Sequence, residues 1–499
     1  MTDKSELDSP ALIQTGVEGL DDVLRGGFAA NRLYLIEGNP GSGKTTLALQ
    51  FLMDGVRRGE SCMFVTLSES EEELRASARS HGWTLEGINI LEIIASEESL
   101  KQDSRYTMYH PSEVELTETT KFVLAEAGKI KPARLVFDSL SEFRLLAENP
   151  LRYRRQILAL KQYFSRQQST VLFIDDRTGE ERDMHLHSIA HGVITLDLIA
   201  TEYGTIRRRL QVRKMRGHAF REGYHDFMIR QGGIEVFPRL IASEHQNLYQ
   251  RRSIESNLEP LDNLLGGGLA KGTSTLIIGT AGTGKSSLST QYAKAAAARG
   301  EHTSIFLFDE AIATYLERSA GLGMEMEPLI SAGLVRVRQV NPAELSPGEF
   351  AHTVRHEVER DKARIIVIDS LSGYMNAMPS EQFLALHLHE LLTYLGQQGV
   401  TTLLLMTQHG LIGSGTHVPV DASYLSDTVI LLRYFEAFGE IRQAIAVIKK
   451  RTGKHERTVR ELRFDKGIII GEPVRDFQGV LTGVPEFVGN SLDGAKGSY

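Results

Sequence analysis

Two eight-residue segments of this 499-residue chain have the spacing GxxxxGK[ST]. One runs from Gly38 to Thr45 and the other from Gly279 to Ser286. Glycines at this spacing let the backbone curl so that its amides point inward at phosphate oxygens, and the lysine then reaches the terminal phosphates. The last residue offers a hydroxyl to Mg²⁺. The spacing therefore predicts two phosphate-binding loops that use ATP and Mg²⁺.

Both loops are expected to make the same contacts, because each follows an apolar run and opens an amphipathic stretch. The predicted nucleotide-binding residues are Gly38, Gly41, Ser42, Gly43, Lys44, Thr45 and Thr46 in the first loop, and Gly279, Gly282, Thr283, Gly284, Lys285, Ser286 and Ser287 in the second. Lys44 and Lys285 are also predicted to assist catalysis, since a fixed cation stabilises charge on a transferring phosphoryl group. Thr45 and Ser286 are the predicted hydroxyl ligands of the metal ion.

Two aspartates stand where a second metal contact is expected. Asp138 and Asp369 each close an apolar run and are followed by Ser-Leu-Ser. A carboxylate at this place can hold Mg²⁺ through water. The alternative is an aspartate that only caps a turn, and the matching phosphate loops favour the metal role.

Further acids follow the strand predicted after each loop helix. The first half has Ser68-Glu69 there and the second has Asp309-Glu310. A carboxylate at this place can orient the water that attacks the γ-phosphate, which makes Glu69, Asp309 and Glu310 candidate catalytic residues. The alternative is a solvated acid at a helix start, since three more glutamates follow Glu69 at positions 71–73.

The two loops belong to a longer internal repeat. Residues 20–46 align with residues 261–287 at a constant offset of 241, and Asp369 lies 231 residues after Asp138. Small slips in the offset indicate loops of different length between elements that keep their order. The repeat predicts an N-terminal tail at 1–9, a first domain at 10–242, a linker at 243–252, a second domain at 253–480 and a flexible C-terminal tail at 481–499.

The elements that position these residues are predicted from apolar periodicity. Continuous runs, typical of strands buried on both faces, lie at 32–37, 62–67, 134–137, 170–174 and 193–198, and in the second half at 274–278, 304–308, 364–368, 401–406 and 428–432. They alternate with amphipathic stretches, which indicates a mainly parallel α/β sheet. Closely spaced later runs at 207–213, 227–236, 441–448 and 459–464 predict antiparallel strands at the sheet edge.

Composition excludes several classes of protein. The formal net charge of −8 argues against a protein that coats nucleic acid. No run of 18 apolar residues is present, so no membrane span is expected, and the polar N-terminus has no signal core. Cys62 is the single cysteine, so no internal disulfide can form, which favours a cytoplasmic location.

These blocks resemble the KaiC family of RecA-like ATPases. The resemblance covers about residues 10–470 and rests on the paired LDxLLxGG blocks before each loop, on IDSLS at 368–372, and on the late basic segments 214–217 and 449–453. It implies two tandem RecA-like P-loop domains, slow ATP hydrolysis, and a two-tiered homohexamer with ATP between subunits. It also implies that Lys214, Arg216, Lys449 and Arg451 reach the nucleotide of the neighbouring subunit. The alternative for these cations is an exposed basic strand end.

The chain departs from the family at two places. The family has Glu-Glu where this chain has Ser68-Glu69 and Asp309-Glu310, so the first half hydrolyses poorly if the first position is the base, and both halves turn over if the second suffices. Family members of circadian clocks phosphorylate a serine and a threonine in the second domain. Here Ser423 keeps the serine and Tyr424 replaces the threonine, which leaves serine autokinase activity at one site, or a Ser423 that only lines a loop.

Two other functions remain open at this stage. A RecA- or RadA-like nucleic-acid motor requires basic loops facing a channel, and the candidate segments 143–148 and 373–378 are not basic, so nucleic acid is not an expected partner. A non-hydrolysing, ATP-gated scaffold is the second alternative, if Ser68 and Asp309 both disable the chemistry. The interpretation as a KaiC-like ring ATPase includes clock or signalling proteins as partners.

Overall fold

The computed structural model describes residues 11–93, 111–147, 149–177, 184–200, 204–376, 383–408, 424–482 and 485–488. The chain divides between Arg239 and Leu240 into two compact units, called unit 1 and unit 2 below. Each unit contains one nine-stranded sheet with helices packed against it.

The strands of unit 1 are β1 (Leu12–Ile13), β2 (Phe28–Ala29), β3 (Leu33–Gly38), β4 (Cys62–Thr66), β5 (Ile88–Glu92), β6 (Arg134–Asp138), β7 (Thr170–Asp176), β8 (Gly192–Ile199), β9 (Arg207–Met215), β10 (Tyr224–Arg230) and β11 (Gly233–Phe237). Its described helices are α1 (Leu20–Val23), α2 (Lys44–Arg57), α3 (Glu71–Ser80), α4 (Pro111–Ile130), α5 (Leu140–Ala147), α6 (Pro150–Arg166) and α7 (Met184–Ile189).

The strands of unit 2 are β12 (Ser253–Ile254), β13 (Leu269–Ala270), β14 (Ser274–Gly279), β15 (His302–Leu307), β16 (Val335–Gln339), β17 (Ala363–Asp369), β18 (Thr401–Thr407), β19 (Thr428–Ala437), β20 (Glu440–Lys450), β21 (Arg460–Asp465), β22 (Gly467–Pro473), β23 (Phe477–Gln478) and β24 (Glu486–Phe487). Its described α-helices are α8 (Glu259–Leu264), α9 (Lys285–Ala298), α10 (Ile312–Gly321), α11 (Glu327–Ser331), α12 (Pro347–Glu359), α13 (Leu371–Asn376) and α14 (Leu384–Gln397).

The two large sheets have the same topology. The strand order is β11-β10-β9-β8-β3-β7-β6-β4-β5 in unit 1 and β22-β21-β20-β19-β14-β18-β17-β15-β16 in unit 2. Six strands of each sheet are parallel, and the last three strands join antiparallel at one edge. The predicted fold class is therefore confirmed: α/β, with two tandem RecA-like domains, each a mainly parallel sheet with antiparallel edge strands.

Each sheet is buried on both faces, as its continuous apolar strands predict. In β3, Tyr34 and Ile36 pack in the core layer that contains α2, and Leu35 packs in the layer that contains α6. Ile277 and Leu276 of β14 divide in the same way between two layers. This double burial holds the carboxyl end of the central strand, where each phosphate loop begins, in a fixed position.

Local details differ from the sequence-based expectations at the edge of the first sheet. Residues 227–236 were expected to be one strand, but they contribute to two, β10 and β11, because Gly232 and Gly233 turn the chain with φ of 99° and 111°. Residues 243–252, expected to be a linker, belong to unit 2, where the amide of Asn247 donates to the carbonyl of Gln397. Part of the expected C-terminal tail pairs as β24 with β23. Within the described ranges, the structure has no helix long and apolar enough to cross a membrane.

Candidate nucleotide sites

Both phosphate loops connect the central strand of a sheet to a fourteen-residue helix, β3 to α2 and β14 to α9. Gly43 and Gly284 close the loops with φ of 100° and 94°, a backbone conformation that other residues rarely adopt. A Cβ atom on Gly43 would also lie 2.7 Å from Cδ1 of Ile229. Gly43 is therefore required by both conformation and packing, and it directly precedes the first amides of α2, which favour a bound anion.

The loops contain polar atoms that fit an oxygen-rich ligand. Oγ of Ser42 and Oγ1 of Thr280 are buried and have no hydrogen-bond partner in the part of the chain that the structure describes. Buried hydroxyls are normally paired, so an unpaired one inside a loop of this shape fits a bound phosphate group.

The two loop lysines are buried beneath their own loops. Nζ of Lys44 donates to the carbonyls of Gly38 and Asn39 at 3.0 and 2.9 Å. Nζ of Lys285 makes the equivalent bonds to the carbonyls of Gly279 and Thr280 at 3.0 and 2.8 Å. Burial lowers the pKa of Lys285 to about 8.

In each unit the hydroxyl predicted to bind Mg²⁺ pairs with the aspartate predicted to assist it. Oγ1 of Thr45 donates to Oδ2 of Asp138 at 2.7 Å, and the side chain of Ser286 hydrogen-bonds to Asp369. Burial raises the pKa of Asp138 to about 6, opposed by the bond from Thr45. Burial also raises the pKa of Asp369, opposed by Ser286 and by the charge of Arg318. A hydroxyl and a carboxylate within one hydrogen bond of each other are the donor set that fits Mg²⁺ held directly by the first and through water by the second.

The candidate catalytic acid of unit 1, Glu69, lies close to Asp138, the acid predicted to assist the metal ion. Thr66, the last residue of β4, is paired with Asp138, and Glu69 follows three residues later. The amide of Glu69 donates to Oγ1 of Thr66 at 3.1 Å. Burial raises the pKa of Glu69, and the charge of Glu73 adds to the rise.

The corresponding acids of unit 2 both have polar partners. Oδ2 of Asp309 accepts from Oγ of Ser370 at 2.5 Å. Glu310 forms an ion pair with Arg318, with Nη2 to Oε2 at 2.8 Å. The charge of Glu310 is among the causes that raise the pKa of Asp369, so this acid also lies close to the metal-site aspartate.

Lys214 and Arg216 do not meet the phosphate loop of their own unit. Across β8, Lys214 is level with Leu35, three residues before Gly38. At about 3.3 Å per residue, its backbone lies roughly 10 Å short of the loop and two strands away. Nη2 of Arg216 donates to the carbonyl of Ser188 at 2.9 Å, at the opposite end of the sheet from the loop.

Unit 2 repeats this separation. Lys449 is level with Leu276, three residues before Gly279. Nη2 of Arg451 donates to the carbonyl of Tyr424 at 3.1 Å. In both units, therefore, the late arginine and the loop occupy opposite ends of one parallel sheet, and the backbone of the late lysine lies partway between them.

The candidate phosphorylation site Ser423 lies outside the described residues. The described chain resumes at Tyr424, whose side chain is 53% exposed.

Sequence reasoning missed two charged residues that contact the sites. Asp176 ends β7 level with Gly38 and forms an ion pair with Lys44 at 2.7 Å. Arg318 lies on α10, eight residues after the glutamate it binds. A comparison of the two halves could have found both, because each charged residue aligns with an uncharged one. Asp176 aligns with Thr407, and Arg318 aligns with Ser77.

Comparisons with known proteins agree with the geometry. A family model described as "ATPase: KaiC" matches residues 13–241 and 254–474. A "Circadian clock protein KaiC3" from Synechocystis is 27% identical over 97% of this chain and 97% of its own length. A "Circadian clock oscillator protein KaiC" from Synechococcus elongatus is 28% identical over 96% of this chain and 93% of its own length, and one from Acaryochloris marina is 26% identical over 98% and 94%.

Proposed function

The chain belongs to the KaiC family of ATPases, and from that premise we propose that it hydrolyses ATP slowly at the interfaces between subunits of a ring. Each unit binds ATP with Mg²⁺ in its phosphate loop. The ring is a two-tiered homohexamer in which each tier is formed by one unit of every subunit. The protein acts in the cytoplasm as a clock or signalling component, as the printed names of its relatives suggest.

The observation that supports this most strongly is the position of the late cations. Arg216 and Arg451 lie at the end of the sheet opposite to their own loop, and the backbones of Lys214 and Lys449 lie three residues short of it. A cation so placed is out of reach of its own nucleotide, but it faces a neighbouring loop if subunits pack head to tail in a closed ring. An arginine supplied by a neighbour stabilises charge on the transferring phosphoryl group.

The residues of each loop divide the work of binding. The amides at the start of α2 and α9 and the ammonium groups of Lys44 and Lys285 hold the β- and γ-phosphates. Thr45 with Asp138, and Ser286 with Asp369, hold the metal ion. When bound, Mg²⁺ neutralises charge that develops on the β- and γ-oxygens.

Hydrolysis then requires a group that accepts a proton from water. Water attacks the γ-phosphorus, the bond from phosphorus to the β–γ bridging oxygen breaks, and ADP leaves with the electron pair. Glu69 is the acceptor in unit 1, because burial raises its pKa and so makes it a better base. Glu310 is the acceptor in unit 2, where its carboxylate must leave an ion pair with Arg318 to meet the water.

Serine autophosphorylation is the second part of this proposal. Ser423 takes the phosphoryl group and Tyr424, at the threonine position of the family, does not provide a second site. Membership of the family supports this assignment. The intact mass of wild-type protein incubated with ATP and Mg²⁺ should rise by one phosphate, and the gain should be absent in Ser423→Ala. A gain of mass that persists in Ser423→Ala contradicts the assignment.

ATP turnover of Lys44→Ala and Lys285→Ala, made separately, tests the assignment of two sites. Each variant should lose binding in one unit and keep it in the other, because each lysine is buried in its own loop. Loss of nearly all turnover in one variant identifies the tier that hydrolyses. Nucleotide binding without release of ADP in either variant or in wild type would instead support an ATP-gated scaffold.

Mixing two inactive variants tests whether the late cations act across subunits. Lys44→Ala and Arg216→Ala subunits, both carrying Lys285→Ala to silence unit 2, are mixed in equal amounts and reassembled. In a ring with one interface type, about a quarter of the sites then combine an intact loop with an intact neighbouring arginine. Turnover should return to about that fraction, and no recovery would contradict a role in trans.

A further inference from the structure

Asp176 places a negative charge directly against the phosphate-binding lysine of unit 1. Its Oδ1 lies 2.7 Å from Nζ of Lys44, and it ends the strand next to the one that leads into the loop. The amide of Asp176 donates to Oγ of Ser141 at 3.2 Å, which positions the backbone of this strand end. Lys44 therefore has three acceptors when no nucleotide is bound: the two loop carbonyls and this carboxylate.

Unit 2 has the same backbone arrangement without the acid. Thr407 ends β18 level with Gly279, and its amide donates to Oγ of Ser372 at 3.1 Å. The neighbouring strand end is thus held in both units by an equivalent serine, and only the side chain next to the lysine differs.

The adjacent Asp175 does not share this role. Its carboxylate forms an ion pair with Arg144 and accepts from Oγ of Ser141 at 3.1 Å. Asp176 is the acid that faces the loop, and it is also one of the charges that raise the pKa of Asp138 in the expected metal site.

We propose that Asp176 is an electrostatic gate, which makes nucleotide binding in unit 1 depend more strictly on a divalent cation than binding in unit 2. This inference rests on the proposed binding of ATP in both loops. A γ-phosphate that enters unit 1 must take Lys44 away from Asp176, and the two anions then lie side by side. Like charges so placed repel unless a cation lies between them. In unit 2, Thr407 adds no charge, so the triphosphate meets a lysine that is held only by its two loop carbonyls.

The gate also agrees with the remaining charges of the two sites. Unit 1 brings Glu69, Asp138 and Asp176 toward one lysine. Unit 2 adds Arg318 near its acids, which offsets part of their charge. The sensitivity to the cation is therefore expected in unit 1 and reduced in unit 2.

Equilibrium binding of a fluorescent ATP analogue tests the gate without reference to turnover. Unit 1 is observed in the full chain carrying Lys285→Ala, with Mg²⁺ and again with the ion removed by EDTA. Adding Asp176→Thr should lower the Kd measured in EDTA by about tenfold and change the Kd measured with Mg²⁺ by much less, because only the unscreened repulsion is removed. Asp176→Asn, which keeps the shape, should behave as Asp176→Thr does.

The mirror substitution provides the matched control. Thr407→Asp, in a chain carrying Lys44→Ala, should raise the Kd of unit 2 in EDTA by about tenfold and leave the Kd with Mg²⁺ nearly unchanged. Thermal unfolding of each variant separates loss of the site from loss of the fold.

Two results would overturn the gate. In the first, Asp176→Thr and Asp176→Asn both keep the wild-type ratio of the Kd in EDTA to the Kd with Mg²⁺. In the second, the two substitutions change the Kd with Mg²⁺ by as large a factor as the Kd in EDTA. Asp176 would then affect binding whether or not the ion is present. Failure of the proposed function is distinguishable, because the chain carrying Lys285→Ala would then bind no analogue under either condition.

Discussion

The two phosphate loops of this chain have one backbone and two electrostatic environments. In unit 1 the loop lysine pairs with Asp176, and Glu69 forms no ion pair with any described residue. In unit 2 the residue aligned with Asp176 is the uncharged Thr407, and Glu310 forms an ion pair with Arg318. The two halves of the repeat therefore share the backbone geometry of the phosphate loop. They differ in the charged side chains that lie next to it.

The cores of the two units differ in a related way. Arg134 begins β6 fully buried, with ion pairs to Glu60 at 2.5 Å and Asp54 at 3.1 Å. The same place in the sheet of unit 2 is occupied by Ile365, which is also fully buried. One framework thus accepts either a paired charge or a hydrocarbon at the same place.

The largest expected effect falls on what the units share. Arg216→Ala and Arg451→Ala should each lower turnover of their own tier by about 10³-fold and leave nucleotide binding largely intact, because a neighbour's arginine acts mainly in the transition state. Each variant is assayed with the other tier silenced by its loop-lysine substitution. If only one of the two arginines matters, the units differ in assembly as well as in charge.

The second prediction concerns the buried residue at the start of β6 in unit 1 and the residue at the same place in β17 of unit 2. Arg134→Ala should lower the free energy of unfolding of unit 1 by about 3–5 kcal/mol, because it leaves the partly buried Glu60 without its ion-pair partner and takes one of its ion pairs from Asp54. Hydrogen exchange of the full chain should show faster exchange in β4 and β6 and unchanged exchange in β15 and β17. Ile365→Val is the matched change in unit 2, with an expected cost of about 0.5–1.5 kcal/mol. Equal effects in both units would contradict a structural role for the buried ion pair.

The third prediction compares the two glutamates proposed to accept a proton from water, Glu69 and Glu310. Glu69→Gln should reduce turnover of unit 1 by about 100-fold, since the amide cannot accept a proton. Glu310→Gln should reduce turnover of unit 2 by less, because its carboxylate is already occupied by an ion pair with Arg318. The measurement is single-tier ADP release at saturating ATP, and equal losses would show that the arginine leaves the base unaffected.

The smallest expected effect is on pH dependence. Mg²⁺ requires ionised Asp138, and because the pKa of this carboxyl is raised to about 6, protons compete with the ion as the pH falls through 6. Mg²⁺-dependent affinity of unit 1 should therefore fall by about tenfold between pH 7 and pH 5. Burial also raises the pKa of Asp369, so the Mg²⁺-dependent affinity of unit 2 should fall in the same direction. The Asp138→Asn variant should show a weak Mg²⁺-dependent affinity that does not change with pH. An affinity of wild-type unit 1 that is independent of pH would contradict the assignment of Asp138 to the metal site.

Much of the fold could be predicted because its signals are local. The repeat, the alternation of apolar runs with amphipathic stretches and the spacing of the loop glycines depend on residues close in sequence, and each predicted the element that formed. The split of residues 227–236 into two strands was missed, although Gly232 and Gly233 marked the turn.

The positions of the two predicted phosphate loops follow from the sequence, because a glycine-rich loop before a helix sets its own backbone conformation. The charges around each loop follow from the folded arrangement of the strands. Asp176 meets Lys44 because β7 lies beside β3 in one particular register, and Arg216 lies away from its own loop because β9 runs antiparallel to β8. Strand order and register join residues far apart in the chain, and no local spacing specifies them.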